Sequence, residues 1–201
     1  IGMNRAGDIV LDSGEAYHVF DHAIEIVEKA YKSGLEVHFY SGGPNVRNLD
    51  LLSKLKLSNG KSFLEVASSV LGREDLVDLG EEFDGGYFTD RYRKDLTKVG
   101  PIDQLVIVED NPFFPLDEAQ RTRVLKLPVH DEVALKSWRQ ENRLSWVHGV
   151  FDDLVSGKDL DLINSEKINS NIVHGLNILG KDSKKNLSRH GCAGIFYALS
   201  F

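Results

Sequence analysis

Only one cysteine stands among these 201 residues, so Cys192 has no partner within the chain and no internal disulfide can form. Cysteine this sparse fits a reducing compartment, and a cytoplasmic protein is expected. No window approaches the ~18 uninterrupted apolar residues of a membrane-spanning helix, and no signal peptide opens the chain, so no membrane partner is expected. Basic residues are the minority. With 24 Lys and Arg against 31 Asp and Glu the net charge is −7, which argues against a nucleic-acid-binding face. The G-x-x-x-x-G-K-[ST] phosphate loop is missing and the glycines form no dinucleotide fingerprint. None of the seven histidines pairs with another at metal-ligand spacing on a helix, which speaks against zinc. Internal repeats and low-complexity tracts are absent as well.

What is present reads as a globular chain with 41% apolar and 27% charged residues. The length suits one well-buried domain with a modest appendage. Ile9-Val10-Leu11 and Ala16 to Phe20 flank the polar turn Asp12-Ser13-Gly14-Glu15, the pattern of a β-hairpin. From Asp21, a candidate N-cap, apolar residues fall at helical spacing until Gly34 stops them. Leu35 to Tyr40 reads as a strand, Ser41-Gly42-Gly43-Pro44 as a tight turn, and Val46 to Leu55 as a second helix. Phe63 to Leu71 reads as helical, Tyr87-Phe88 as a short strand, and Leu105 to Val108 and Val124 to Leu127 as further strands. A long amphipathic helix is expected over much of Glu132 to Leu154. Strands alternating with helices indicate a mostly parallel α/β sheet over residues 1–155. Residues 156–201 are expected as a helical extension packed on it.

Three places could carry chemistry. At Leu105-Val106-Ile107-Val108-Glu109-Asp110-Asn111-Pro112 a buried strand runs straight into two carboxylates. Open α/β sheets place their ligands at that carboxyl edge, and oxygen ligands of this kind suit Mg²⁺. A polar turn is the competing reading, since Asp-Asn-Pro is ordinary turn chemistry. The second place is Ser41-Gly42-Gly43, where a hydroxyl and exposed N–H groups could cradle an anion, or Ser41 could simply cap the next helix. The third is the basic run Arg91 to Lys98, in which a lysine could meet a phosphate or stand solvated.

A strand ending in a hydroxyl, then Lys94-Asp95-Leu96-Thr97, then a strand ending Glu109-Asp110-Asn111-Pro112 resembles the haloacid dehalogenase superfamily. The wording of the last two motifs is closest to its NIF-like branch of small C-terminal-domain phosphatases. The resemblance covers about residues 8 to 155. It implies a Rossmann-like fold, with residues 8 to 20 as a hairpin flap, and a Mg²⁺-dependent phosphomonoesterase working through an aspartyl-phosphate. Ser41 and Gly42 would bind the phosphate, and Lys94 would neutralise nucleophile and phosphoryl group. Glu109 and Asp110 would hold Mg²⁺, with the choice between them open. The partner would be a phosphorylated protein or small molecule.

The family's first motif, a buried strand ending Asp-x-Asp, is not found. Gly14 stands where the second acid should follow Asp12. The nucleophile is therefore expected upstream of Ile1. The alternative is an inactive scaffold that binds a phosphorylated ligand or a protein. On the hydrolase reading, Lys94→Ala should abolish most activity towards an aryl phosphate while leaving the fold intact.

Overall fold

A computed structural model describes residues 2–3, 8–19, 22–83, 85–109, 111–126, 145–165 and 195–200. The chain is a mixed α/β protein, and its largest unit is a five-stranded sheet. That sheet is built from β4 (Glu36–Ser41), β5 (Ala67–Leu71), β8 (Leu105–Glu109), β9 (Val124–Lys126) and β10 (Ile195–Ser200), in the order β5-β4-β10-β8-β9. β5 runs parallel to β4, β9 runs parallel to β8, and β10 is antiparallel to both strands beside it. All five residues of β8 and the last five of β4 are buried, as expected of apolar runs covered on both faces. β4 and β8 therefore point the same way and end at the same edge.

The expected hairpin forms. β2 (Ile9–Val10) pairs with β3 (Ala16–His18), which also accepts β1 (Gly2–Met3) on its other side. Gly14 turns the chain at φ 86°, a backbone angle that favours glycine. Helix α1 (Ala23–Lys32) buries Ala23, Ile26, Val27 and Ala30 against the sheet and ends before Gly34 at φ 77°. Asp21, expected as its cap, lies outside the described residues, and His22 takes the N-cap position at φ 65°. Helix α2 (Asn45–Lys54) follows the Ser41 turn as expected, with Leu51 and Leu52 in the core.

Three expectations are corrected. Phe63 to Leu71 is not one helix. The capping box of Ser62 and Glu65 starts a single turn, α3 (Phe63–Val66), and Ala67–Leu71 then extends as edge strand β5. Pairing with β4 outweighs the apolar spacing that reads as helix. No strand forms at Tyr87-Phe88: Tyr87 is the N-cap of a helical turn, α4 (Phe88–Arg91), and the local strands are β6 (Val77–Asp78) and β7 (Tyr92–Arg93). The third correction concerns the expected helical extension. A helical stretch at 160–165 does put Leu160 and Ile163 into the main core, but Ile195–Ser200 supplies the central strand. Of the long amphipathic helix only α6 (Ser145–Val155) falls among the described residues. Leu127 and residues 132–144 lie outside them. A short helix, α5 (Glu118–Arg121), leads into β9.

His38 of β4 is buried and joins β5 through Nδ1 and the Ser69 hydroxyl at 2.8 Å. Burial holds its pKa below the usual imidazole value, against the opposing pull of Glu36. The unfolded chain binds the extra proton more readily, so this contribution to stability is lost as pH falls below about 6.5. Thermal unfolding of His38→Gln should therefore shift less than wild type between about pH 7.5 and about pH 5.5. A central strand has bonded neighbours on both sides, so Ala198→Pro should cost on the order of 1–3 kcal/mol in urea unfolding. An unchanged midpoint would show that β10 does not hold the centre of the sheet.

Candidate functional site

Ser41 closes β4 and Glu109 closes β8 on one edge of the sheet. Ile195 pairs with Ser41 and Tyr197 pairs with Val108, so a single strand separates the two ends. The strands that carry them stand two spacings apart, about 10 Å. The sequence placed both groups at a carboxyl edge, and the topology makes it the same edge.

Lys94 reaches the end of β8 from outside the sheet. Its Nζ donates to Glu109 Oε2 at 2.6 Å, and both side chains are fully buried, at 0% exposure. Glu109 Oε1 accepts the Asn111 N–H at 3.1 Å. The ammonium also lies over the Phe114 ring at 4.7 Å and the Tyr40 ring at 5.7 Å, where cation–π attraction adds to the ion pair. Burying two charges is costly unless each is paired and hydrogen-bonded, and this pair meets that condition.

The residues after Lys94 hold it in place. Asp95 caps the following 3₁₀ turn by accepting from the Thr97 N–H (3.0 Å) and hydroxyl (2.7 Å), and Gln120 Nε2 donates to the same oxygen. Gln120 Oε1 in turn accepts the Leu96 N–H. The Lys94 backbone is pinned by Lys94 N–H to the Phe114 carbonyl and Leu116 N–H to the Lys94 carbonyl. The basic run is thus not a uniform solvated loop. Arg91 forms a two-pronged pair with Asp78 at 2.8 Å, and Lys98 donates to the Asp75 carbonyl.

At the end of β4, the buried Ser41 hydroxyl accepts from the Gly43 N–H and from Arg47 Nη2, each at 3.1 Å. Gly42 is in close packing. A Cβ there would stand 3.2 Å from Phe88 and 3.4 Å from Phe114. Phe114 therefore forms a wall shared by the Ser41 turn and Lys94. Arg73 crosses the turn, giving its Nε–H to the Gly42 carbonyl while its guanidinium lies over Phe88. Guanidinium groups, an ammonium and a serine turn collect at this edge of an acidic chain, an arrangement suited to an anion.

Asp110 lies outside the described residues. Among the described residues no cluster of three or more His, Cys, Asp and Glu could hold a metal ion. Glu109, fully buried with an oxygen on Lys94 and an oxygen on a backbone N–H, fits a positioning role better than direct contact with a cation that keeps its waters. No helix among them is long and apolar enough to cross a membrane. Arg47, Asn48 and Arg73 were not foreseen. The only signal was position, because Arg47 falls in the first turn of the helix that follows Ser41.

No protein-family profile, no curated protein and no solved structure matches this chain.

The burial of Lys94 changes what its substitution should do. Lys94→Ala strands a buried carboxylate, so it should cost about 3–5 kcal/mol of stability instead of leaving the fold untouched. Lys94→Met combined with Glu109→Leu removes both charges and should recover much of that loss. Urea unfolding of the single and double variants checks this. A double variant no more stable than Lys94→Ala would contradict the pairing.

Proposed function

We propose that the shared carboxyl edge of β4 and β8 is a phosphate site of haloacid-dehalogenase type, on a Rossmann-like sheet, in a Mg²⁺-dependent phosphomonoesterase. One observation carries the reading. A fully buried Lys94–Glu109 pair and a buried, doubly hydrogen-bonded Ser41 terminate two like-directed strands that flank one strand position. The order of these groups along the chain is the order of the motifs in the family it resembles.

In the proposed reaction the phosphoryl group of a phosphorylated protein or small molecule meets the Ser41-Gly42 turn. Ser41 hydrogen-bonds a phosphoryl oxygen, and the Lys94 ammonium balances the charge that gathers there. An aspartate carboxylate on a strand upstream of Ile1 bonds to phosphorus while the ester P–O bond breaks, and the leaving oxygen takes a proton. Water then attacks phosphorus, breaking the acyl phosphate, releasing inorganic phosphate and restoring the carboxylate. Glu109 pairs with the Lys94 ammonium and aims it, and Asp110 would hold the metal in this reading. A bound Mg²⁺ would supply charge neutralisation for the phosphoryl oxygens.

A second reading has its own support. β10 occupies the position between β4 and β8, and its residues Ile195 to Ser200 include no carboxylate. A sheet filled this way fits a scaffold that binds a phosphorylated ligand without hydrolysing it. The full-length protein separates the two. On the first reading it hydrolyses an aryl phosphate with Mg²⁺, and Glu109→Gln with Asp110→Asn lowers the rate at least about 100-fold. Tight binding of inorganic phosphate without turnover would favour the scaffold.

A further inference from the structure

We infer that Ser69, His38 and Glu36 form a second reactive site, a serine nucleophile with its base and acid, that acts on carboxylic esters. The inference stands apart from the phosphate-site reading, because none of the three residues takes part in it.

The sheet itself brings the three together. Glu36 and His38 lie two residues apart on β4, so their side chains leave the same face. The register of β4 with β5 passes from Val37 opposite Ala67 to His38 opposite Ser69, which leaves Ser68 as the extra residue of a bulge. Bulges re-aim side chains, and without this one Ser68 would stand beside His38. Ser69 Oγ is 2.8 Å from His38 Nδ1, and Glu36 Oε2 is 3.5 Å from Nε2 across the ring.

These contacts give each ring nitrogen a role. Nε2 is buried and has no hydrogen-bond partner among the described residues, and the Glu36 carboxylate is the acceptor it faces. A proton on Nε2 directed at Glu36 leaves the Nδ1 lone pair to accept from the Ser69 hydroxyl. Burial keeps the ring below its usual pKa, so at neutral pH it stands as a free base. A hydrogen bond that did no more than tie β4 to β5 would need no acid behind the ring. The long contact to Glu36 is of the kind that tightens once the imidazole takes a proton.

The site is open to a ligand. The imidazole is only 5% exposed, but the Glu36 side chain is 68% exposed, and Ser69 is partly exposed on the edge strand β5. An edge strand presents N–H groups that no neighbouring strand has taken, and donors of this kind stabilise an oxyanion. Ser69 Oγ bonds to the carbonyl carbon of the ester while its proton passes to His38 Nδ1. The tetrahedral adduct then collapses, the C–O bond to the alcohol breaks, and the alcohol oxygen takes the proton from Nδ1. Water repeats the sequence on the acyl-serine, releasing the acid and restoring the hydroxyl.

A fluorophosphonate probe, which modifies activated serines, tests the inference on the full chain when the adduct is mapped by peptide mass spectrometry. Native protein should carry the adduct on Ser69, and urea-unfolded protein should not. Ser69→Ala should take up no probe, and His38→Gln should slow labelling at least about 100-fold. Glu36 is a positioning residue that pulls the His38 pKa upward. Glu36→Gln should therefore move the acid limb of the labelling rate to lower pH, which a merely structural carboxylate would not do. Native protein left unmodified at Ser69 would overturn the inference, and that result needs no variant to fold. Labelling that survives His38→Gln undiminished, or a pH profile unmoved by Glu36→Gln, would overturn it as well.

Discussion

Everything at the carboxyl edge is arranged around a lysine and a glutamate buried together with no exposed surface on either side chain. Two charges in the interior constrain the chain strongly, because neither tolerates displacement of the other. β8 must end where Glu109 can receive the ammonium, and the segment carrying Lys94 must be pinned from behind. The Asp95 cap, the Gln120 side chain and the backbone bonds to Phe114 and Leu116 do that pinning. Tyr40 ties the same corner to β4, giving its hydroxyl proton to the Asp75 carbonyl while accepting the Asp95 N–H. Burial pushes that phenol well above its usual pKa, so it stays a neutral bridge at ordinary pH.

A pair this costly for stability alone is more readily understood as a device that fixes one cation at one place. Beside it, the Ser41 turn offers a hydroxyl and close-packed glycines, and Arg47 and Arg73 bring further positive charge. Phe114 touches both halves, so displacement of either would be felt by the other. The topology supplies the geometry: like-directed strands deliver both groups to one edge, and a single intervening strand keeps them about 10 Å apart. That gap is the width over which an anion would be shared.

The sequence was most legible where one element decides its own fate. Leu105 to Val108 is apolar on both faces and can hardly be other than a buried strand, and the Gly14 and Gly34 turns announce themselves by residue type. Ser41, Lys94 and Glu109 stood out as candidates because of their order along the chain, and the structure pairs Lys94 with Glu109 and puts Ser41 and Glu109 at one edge. Long-range pairing was not legible. Ala67–Leu71 became a strand because β4 offered an edge, and Ile195–Ser200 entered the centre of the sheet more than 80 residues after β8. No local pattern encodes such a choice. Arg47 gave no signal beyond its place in the first turn after Ser41, since its hydrogen bond to Ser41 depends on the space that Gly43 leaves and not on any motif of its own.

The location of a bound phosphate mimic tests the central claim most directly. Crystals of the full chain soaked with tungstate, a tetrahedral oxyanion with a strong anomalous signal, would show where the anion rests. The expected peak lies at the carboxyl edge of β4 and β8, within hydrogen-bond reach of Ser41 Oγ and on the Lys94 side of the turn. A peak elsewhere on the molecule, with that edge empty, would contradict a phosphate site built on the Lys94–Glu109 pair.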